Sequence, residues 1–240
     1  MEQKTRASAC HQDKSICPYF SDGRVCTIEY LIPGDEETRN FHKFLFRGYR
    51  RMGPIFYRNA CEKCSSCLPI RLETAKFRAS RSHKRTLKKN EDLRVEILSQ
   101  PHITDEKIML YERYVKSKHA DDKSSSSGDA INVLLHIHYG YPDTLEMNYF
   151  SGEKLIGVGI VDAARDSLSS NYFYYDTACL NRRIGVFSIL QEISLTAALG
   201  KRYYYLGFYI EENPKMSYKK QFRPNEVYEK GIWRESIVYD

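Results

Sequence analysis

Thr144-Leu-Glu-Met-Asn-Tyr-Phe-Ser-Gly-Glu-Lys-Leu-Ile-Gly-Val-Gly-Ile-Val-Asp162 places Leu145, Met147 and Tyr149 between polar neighbours, the two-residue period of a strand. Ser151-Gly152-Glu153-Lys154 makes a turn, Leu155 to Val161 resumes as a second strand, and a third is predicted over Asn171 to Asp176. Together they form an antiparallel meander. Beyond it the period lengthens. Val186, Leu190, Ile193 and Ala197 share one face of a helix predicted from Gly185 to Leu199, and Gly200 stands in the stop position. Tyr203 to Ile210 returns to the strand pattern.

Meander, helix, then strand is similar to the core order of the acetyltransferase-like (GNAT-type) α/β fold, in which two neighbouring strands of a mixed sheet splay apart to form a cleft. Working outward, residues 1–75 carry six of the seven cysteines and a predicted helix from Thr38 to Met52, with Phe41, Phe44, Leu45 and Tyr49 at helical spacing. This segment reads as a small cysteine-bearing N-terminal domain, and residues 76–240 as the α/β domain. A basic helix is expected after Ser80 or Ser82 as N-cap, ending at Lys88-Lys89-Asn90. A further helix is predicted from Asp105 to Lys118, and the Ser-rich run over 121–128 reads as a mobile loop.

A chain of 240 residues with 42% hydrophobic composition has enough apolar material for a core without staples. No run of about 18 apolar residues occurs and the first thirty residues lack a signal-peptide pattern, so the expectation is a cytoplasmic protein with no membrane partner. Between Lys76 and Lys89 lie seven cations and no Asp or Glu, within a net charge of +6; a phosphate-bearing partner suits that run. Arg81, Lys84, Arg85, Lys88 and Lys89 would form one stripe on a helix, the candidate tRNA-binding surface, with a solvated face as the plain alternative. Cys61-Glu-Lys-Cys64-Ser-Ser-Cys67 has the spacing of zinc and iron-sulfur ligands; Cys17 or His11 would complete the set, and thiols without metal are the alternative.

Acetyltransferases of this fold cradle a pyrophosphate at the helix start. Here the run is Arg182-Arg183-Ile184-Gly185-Val186-Phe187, and Phe187 takes the place of a small residue, so this anion site is expected to be degraded and coenzyme A disfavoured.

Several runs resemble the family of arginyl- and leucyl-tRNA-protein transferases: Tyr49-Arg50-Arg51-Met52-Gly53, Cys61 to Arg71, Tyr174-Tyr175-Asp176, Tyr205-Leu206-Gly207-Phe208-Tyr209-Ile210, and Lys215-Met216-Ser217-Tyr218-Lys219 with Phe222-Arg223-Pro224. The length is similar to that of the short bacterial branch, the aspartate/glutamate leucyltransferases. The resemblance implies an aminoacyl-transfer domain over 76–240 that moves leucine from Leu-tRNA to proteins beginning with Asp or Glu, marking them for N-end rule degradation, with no DNA involved. It requires no cofactor for the chemistry. Eukaryotic relatives carry an iron-sulfur cluster, which by resemblance favours that metal at the cysteines. Arginyl transfer, acetyl-coenzyme A-dependent acetylation and a non-catalytic RNA-binding protein with a zinc knuckle are the competing readings.

The donor is an activated ester, so the enzyme needs placement and oxyanion stabilisation more than acid-base chemistry. Asp176 and Tyr209 are the candidate catalytic residues, Asp176 to orient the α-ammonium. An acidic acceptor calls for a fixed cation, and Arg matches a carboxylate best. Arg50, Arg51 and Arg71 are candidates, Arg51 the favoured one; Lys215, Tyr218 and Lys219 are assigned to the tRNA end.

Overall fold

The computed structural model describes residues 10–118 and 127–236; His119 and most of the Ser-rich loop lie outside them. Strands β1 (Cys10–Ile16), β2 (Val25–Leu31), β3 (Arg50–Met52) and β4 (Ile55–Asn59) form a small antiparallel sheet in the order β1-β2-β4-β3. Helices α1 (Asp35–Arg39) and α2 (Phe41–Phe46) connect β2 to β3. The helix expected to run on to Met52 stops early because Gly48 adopts a left-handed φ of 81°, and the chain turns into β3. The apolar spacing serves both sides of that turn: Phe41 and Leu45 are buried, and the Tyr49 ring meets Phe44 edge-on.

The rest of the chain supplies β5 (Leu68–Glu73), α3 (Arg81–Lys89), β6 (Leu93–Leu98), α4 (Asp105–Lys118), α5 (Ser127–Tyr139) and β7 (Thr144–Ser151). It continues with β8 (Lys154–Ala163), β9 (Ser167–Tyr175), α6 (Ile184–Ala198), β10 (Tyr203–Tyr209), α7 (Pro214–Ser217), β11 (Glu226–Glu229) and β12 (Ile232–Glu235). Eight strands make a mixed sheet in the order β12-β11-β5-β10-β9-β8-β7-β6, in which only β9 and β10 are parallel. Residues 1–75 thus lend β5 to the sheet that residues 76–240 otherwise build.

The meander is β7-β8-β9, and its first turn uses Gly152 at a φ of 57°. Apolar residues on both faces of these strands are covered. Ile156, Val161 and Leu168 pack with Ile184, Phe187, Leu190 and Ile193 of α6 on one face. Leu155, Val158, Ile160 and Tyr174 pack with Leu110 of α4 and Leu134 and Ile137 of α5 on the other. The sheet is therefore the middle of three layers. Ala197, expected on the buried face of α6, is exposed, whereas Glu192 is buried; the covered face is rotated from the one the apolar residues alone suggest.

Local signals explain the helix starts. Ser80 Oγ accepts from His83 N at 3.2 Å, and His83 Nδ1 accepts from Ser80 N at 3.3 Å, a reciprocal cap on α3. Thr104 Oγ1 accepts from Lys107 N at the start of α4. No helix among the described residues is long and apolar enough to cross a membrane.

Candidate active site

The parallel pairing of β9 with β10 covers only Tyr203 to Tyr205. At that point β10 has a bulge between Tyr205 and Gly207, where φ is 96°, and past it the strand stays on β5 and leaves β9. Between the diverging strands opens a cleft of about 780 Å³. Ser170 to Phe173 form one wall, Leu206 to Phe208 the other, Arg183 to Val186 and Ser188 the end at α6, and Lys215, Met216, Tyr218 and Lys219 the rim.

Arg50 reaches this cleft from β3. It is 8% exposed, its Nη2 donates to Ser170 O, and its Nη1 is buried without a hydrogen-bond partner. Lys219 Nζ donates to Phe208 O at 2.8 Å. Burial and the neighbouring guanidinium push its ammonium down to about 7. Both cations crowd Gly207: a Cβ there would lie 2.9 Å from Arg50 Nη1 and 3.3 Å from Lys219 Nζ.

The other candidates are placed differently. Arg51, next in β3, points the opposite way and is only 3% exposed; Nε and Nη2 hold the two oxygens of Asp162 at 2.9 and 2.7 Å. It is spent on the interior and faces no cleft, which removes the expected contact with an acceptor carboxylate. Arg71 lies between the rings of Tyr203 and Trp233, 4.0 and 4.1 Å from their centroids, and Nε meets Glu226 at 2.7 Å; it fastens β11 and β12 to the sheet. Asp176 caps a 3-10 turn over Thr177–Arg182, accepting from Ala178 N at 3.0 Å. Lys154, 2.6 Å away, holds the Asp176 carboxyl below its usual range, and Asp176 does not line the cleft. Tyr209 is buried in the core beside α6 and does not line it either.

All five cations of the α3 stripe are exposed. The stripe is tied to the cleft: Ser82 Oγ accepts from Arg183 Nη1 at 2.6 Å, and Lys89 Nζ donates to Asn181 O at 2.7 Å. Phe187 turns away from the cleft at the start of α6. Its side chain is buried against Tyr149, while Gly185 on the cleft side has nothing within 4 Å of where a Cβ would sit.

Cys17, Cys26, Cys61, Cys64 and Cys67 line a second cavity of about 380 Å³, which shares Tyr19, Tyr57 and Phe208 with the cleft. Burial and then the neighbouring thiols push Cys67 up to about 12, whereas hydrogen bonds from Ser66 lower Cys64. Among the described residues no group of three or more His, Cys, Asp or Glu stands in an arrangement that holds a metal ion. The thiols are gathered but not set as ligands.

Glu192 carries no signal in the sequence, since a carboxylate among apolar residues of a helix reads as a wet face. It is fully buried behind Ser170 and Ser188, and Oε2 accepts from Tyr204 Oη at 2.7 Å, Oε1 from Ser188 Oγ at 3.2 Å. Burial pushes its carboxyl up to about 7 against those hydroxyls.

Comparison of the sequence with known proteins shows its family. The chain is 36% identical over 92% of its length to an aspartate/glutamate leucyltransferase of Shewanella putrefaciens, covering 92% of that protein. It is 34% identical over 90% of its length to one from Saccharophagus degradans, again covering 92% of it. Among solved structures, the PaiA N-acetyltransferase of Thermoplasma acidophilum with coenzyme A aligns with 45% of this chain and 74% of its own at 18% identity and a TM-score of 0.33. The family profiles for the N terminus and C terminus of arginine-tRNA-protein transferase match residues 15–85 and 106–229. With both profiles in order and the relatives matched nearly end to end, the chain belongs to the arginine-tRNA-protein transferase family.

Proposed function

We propose that this chain transfers leucine from Leu-tRNA to the α-amine of cytoplasmic proteins that begin with Asp or Glu, marking them for N-end rule degradation. The observation that carries the reading is the near end-to-end similarity to proteins named aspartate/glutamate leucyltransferase. The cleft supports it with two inward cations and an opening large enough for an aminoacyl ester and a peptide end. We read the divergence of β9 and β10 as the acetyltransferase-like splay, here used for a different acyl donor.

Ester and amine meet in the cleft. An α-amine has a pKa of about 7.7 to 8.0 and the ester is already activated, so placement does most of the work, on the order of 7 to 11 kcal/mol. Backbone N–H groups of β10 beyond Tyr205, no longer paired to β9, supply oxyanion donors. The nitrogen attacks the carbonyl carbon, and the tetrahedral adduct expels the ribose oxygen, which takes up a proton from the attacking nitrogen. The tRNA lies along the stripe of α3 and enters past Arg183, with Lys215 and Tyr218 at its 3′ end. Cys17, Cys61, Cys64 and Cys67 are the candidates for a zinc ion or an iron-sulfur cluster, although among the described residues they do not stand as a ligand set. Elemental analysis after anaerobic purification decides that point.

The test is transfer of labelled amino acids from total charged tRNA to peptides differing only in their first residue. Leucine on Asp and Glu peptides is expected. Acetylation by acetyl-coenzyme A with no aminoacyl transfer would overturn the reading. Arginyl transfer is the second reading, favoured by the description of the matching profiles, and the same assay separates the two.

A further inference from the structure

Among the described residues neither Arg50 nor Lys219 forms an ion pair, and the only carboxyl whose charge Arg50 is seen to act on is the buried Glu192. A buried cation without a partner is costly, and two beside one another more so, unless something else on the reaction path neutralises them. Glu192 is the nearby carboxyl, but it sits behind the cleft wall and is engaged by Tyr204 and Ser188. The buried Arg50 Nη1 has no hydrogen-bond partner, and it and the Lys219 ammonium, which donates to Phe208 O, both lie within 3.4 Å of where a Cβ on Gly207 would sit.

We propose that Arg50 and Lys219 together form the specificity subsite for the acidic side chain of the acceptor, gripping its carboxylate above Gly207 while the adjoining α-amine faces the ester. This rests on the reading of the cleft as the aminoacyl-transfer site and goes further by naming what selects the acceptor. The two cations differ in freedom. Arg50 is locked by Ser170 O and defines a fixed point, whereas Lys219 is held through Phe208 O and the Met216 sulfur on a flexible stem. A fixed fork plus a mobile point charge accommodates carboxylates one methylene apart, so Asp and Glu are both accepted. Asn and Gln have the same shape without the charge and leave both cations uncompensated, so they are rejected. An arriving carboxylate also favours the charged form of Lys219, whose ammonium burial otherwise weakens.

The experiment compares kcat/KM for peptides beginning with Asp, Glu or Asn and otherwise identical, at saturating Leu-tRNA, in the wild type, Lys219→Met, Lys219→Arg and Arg50→Met. The Asp-to-Asn preference should fall roughly 10- to 100-fold in Lys219→Met and in Arg50→Met, the range of a hydrogen bond to a charged group. Lys219→Arg should restore much of it, and KM for Leu-tRNA should stay put. An unchanged preference in folded Lys219→Met overturns the proposal. So does a loss shared equally by Asp and Asn peptides with a raised KM for Leu-tRNA, which would give the cations to a phosphate. If Arg50→Met fails to fold, Lys219→Met decides alone. Calorimetric titration of the tRNA-free wild type with Asp and Asn peptides tests the subsite separately: equal affinities overturn it even if leucine is transferred. Tighter Asp binding without any transfer would instead sink the functional reading and leave the subsite standing.

Discussion

Arg51 and Asp162 grip each other across 111 residues of chain with both side chains buried, two nitrogens on two oxygens. The remaining Arg51 nitrogen donates to Gly53 O, Nη2 also to Ile137 O, and Asp162 further accepts from Thr144 Oγ1 and Asn171 Nδ2. The pair fastens the small sheet to the large one through β3 and β8. Because successive residues of a strand face opposite ways, burying Arg51 in this clasp is what sends Arg50 into the cleft.

Removing one partner of a buried charge pair leaves the other uncompensated, at about 3 to 5 kcal/mol. Arg51→Ala should therefore lower the urea midpoint and transfer to Asp and Asn peptides alike. A folded Arg51→Ala of wild-type stability that loses only acidic acceptors would show that the clasp is not its role.

Glu146 lies fully buried with Lys107, His138 3.0 Å from its Oε2 and Asn148 2.8 Å from its Oε1. Burial alone would raise its carboxyl, but hydrogen bonds from His138 and Lys107 outweigh that and bring it to about 2, from 4.5. The unfolded chain then binds more protons between those values, so the stabilisation is complete above 4.5 and lost as pH falls towards 2. Glu146→Gln should be less stable at neutral pH and lose less on acidification from pH 5 to 3. Denaturant melts across that window check it, and parallel wild-type and variant curves would count against it.

The α3 stripe carries no acid to balance it, and each phosphate contact removed should reduce the salt slope of tRNA binding by roughly 0.7 to 0.9. Lys84, Arg85 and Lys88 changed together to Ala should raise KM for charged tRNA and flatten its salt dependence, with peptide KM unmoved. Retention of both tRNA parameters in a folded variant would place the tRNA elsewhere.

Gly207 combines a left-handed φ with two cationic neighbours inside 3.4 Å of a new Cβ. Gly207→Ala is strained whatever the side chains do, at a cost on the order of 1 to 3 kcal/mol. It should depress transfer to acidic peptides more than it lowers the melting temperature would suggest. Comparing kcat/KM with thermal melts shows whether the damage is at the site.

Local signals carried much of the architecture. The two-residue alternation of β7, the Ser80 cap of α3 and the Gly200 stop of α6 depend on near neighbours and were legible. Which of Arg50 and Arg51 would face the cleft was not, since a strand of three residues shows its faces only once Asp162 is in place. The direction of Phe187 is hidden for the same reason: its position in a motif says nothing of the core that draws its ring inward. Glu192 is buried by hydroxyls from Ser188, four residues earlier on its own helix, and from Tyr204 on β10.

Strand β5 leaves the ribosome about 130 residues before β10, the partner that flanks it, and longer still before β11 on its other edge. Through that interval Leu68, Ile70 and Leu72 have no sheet to join, and closure of so long a loop is slow. The nascent chain is therefore most exposed to misassembly between synthesis of its first third and its last. A nick or premature stop before residue 203 costs more than the missing residues, because it strands an apolar segment already made.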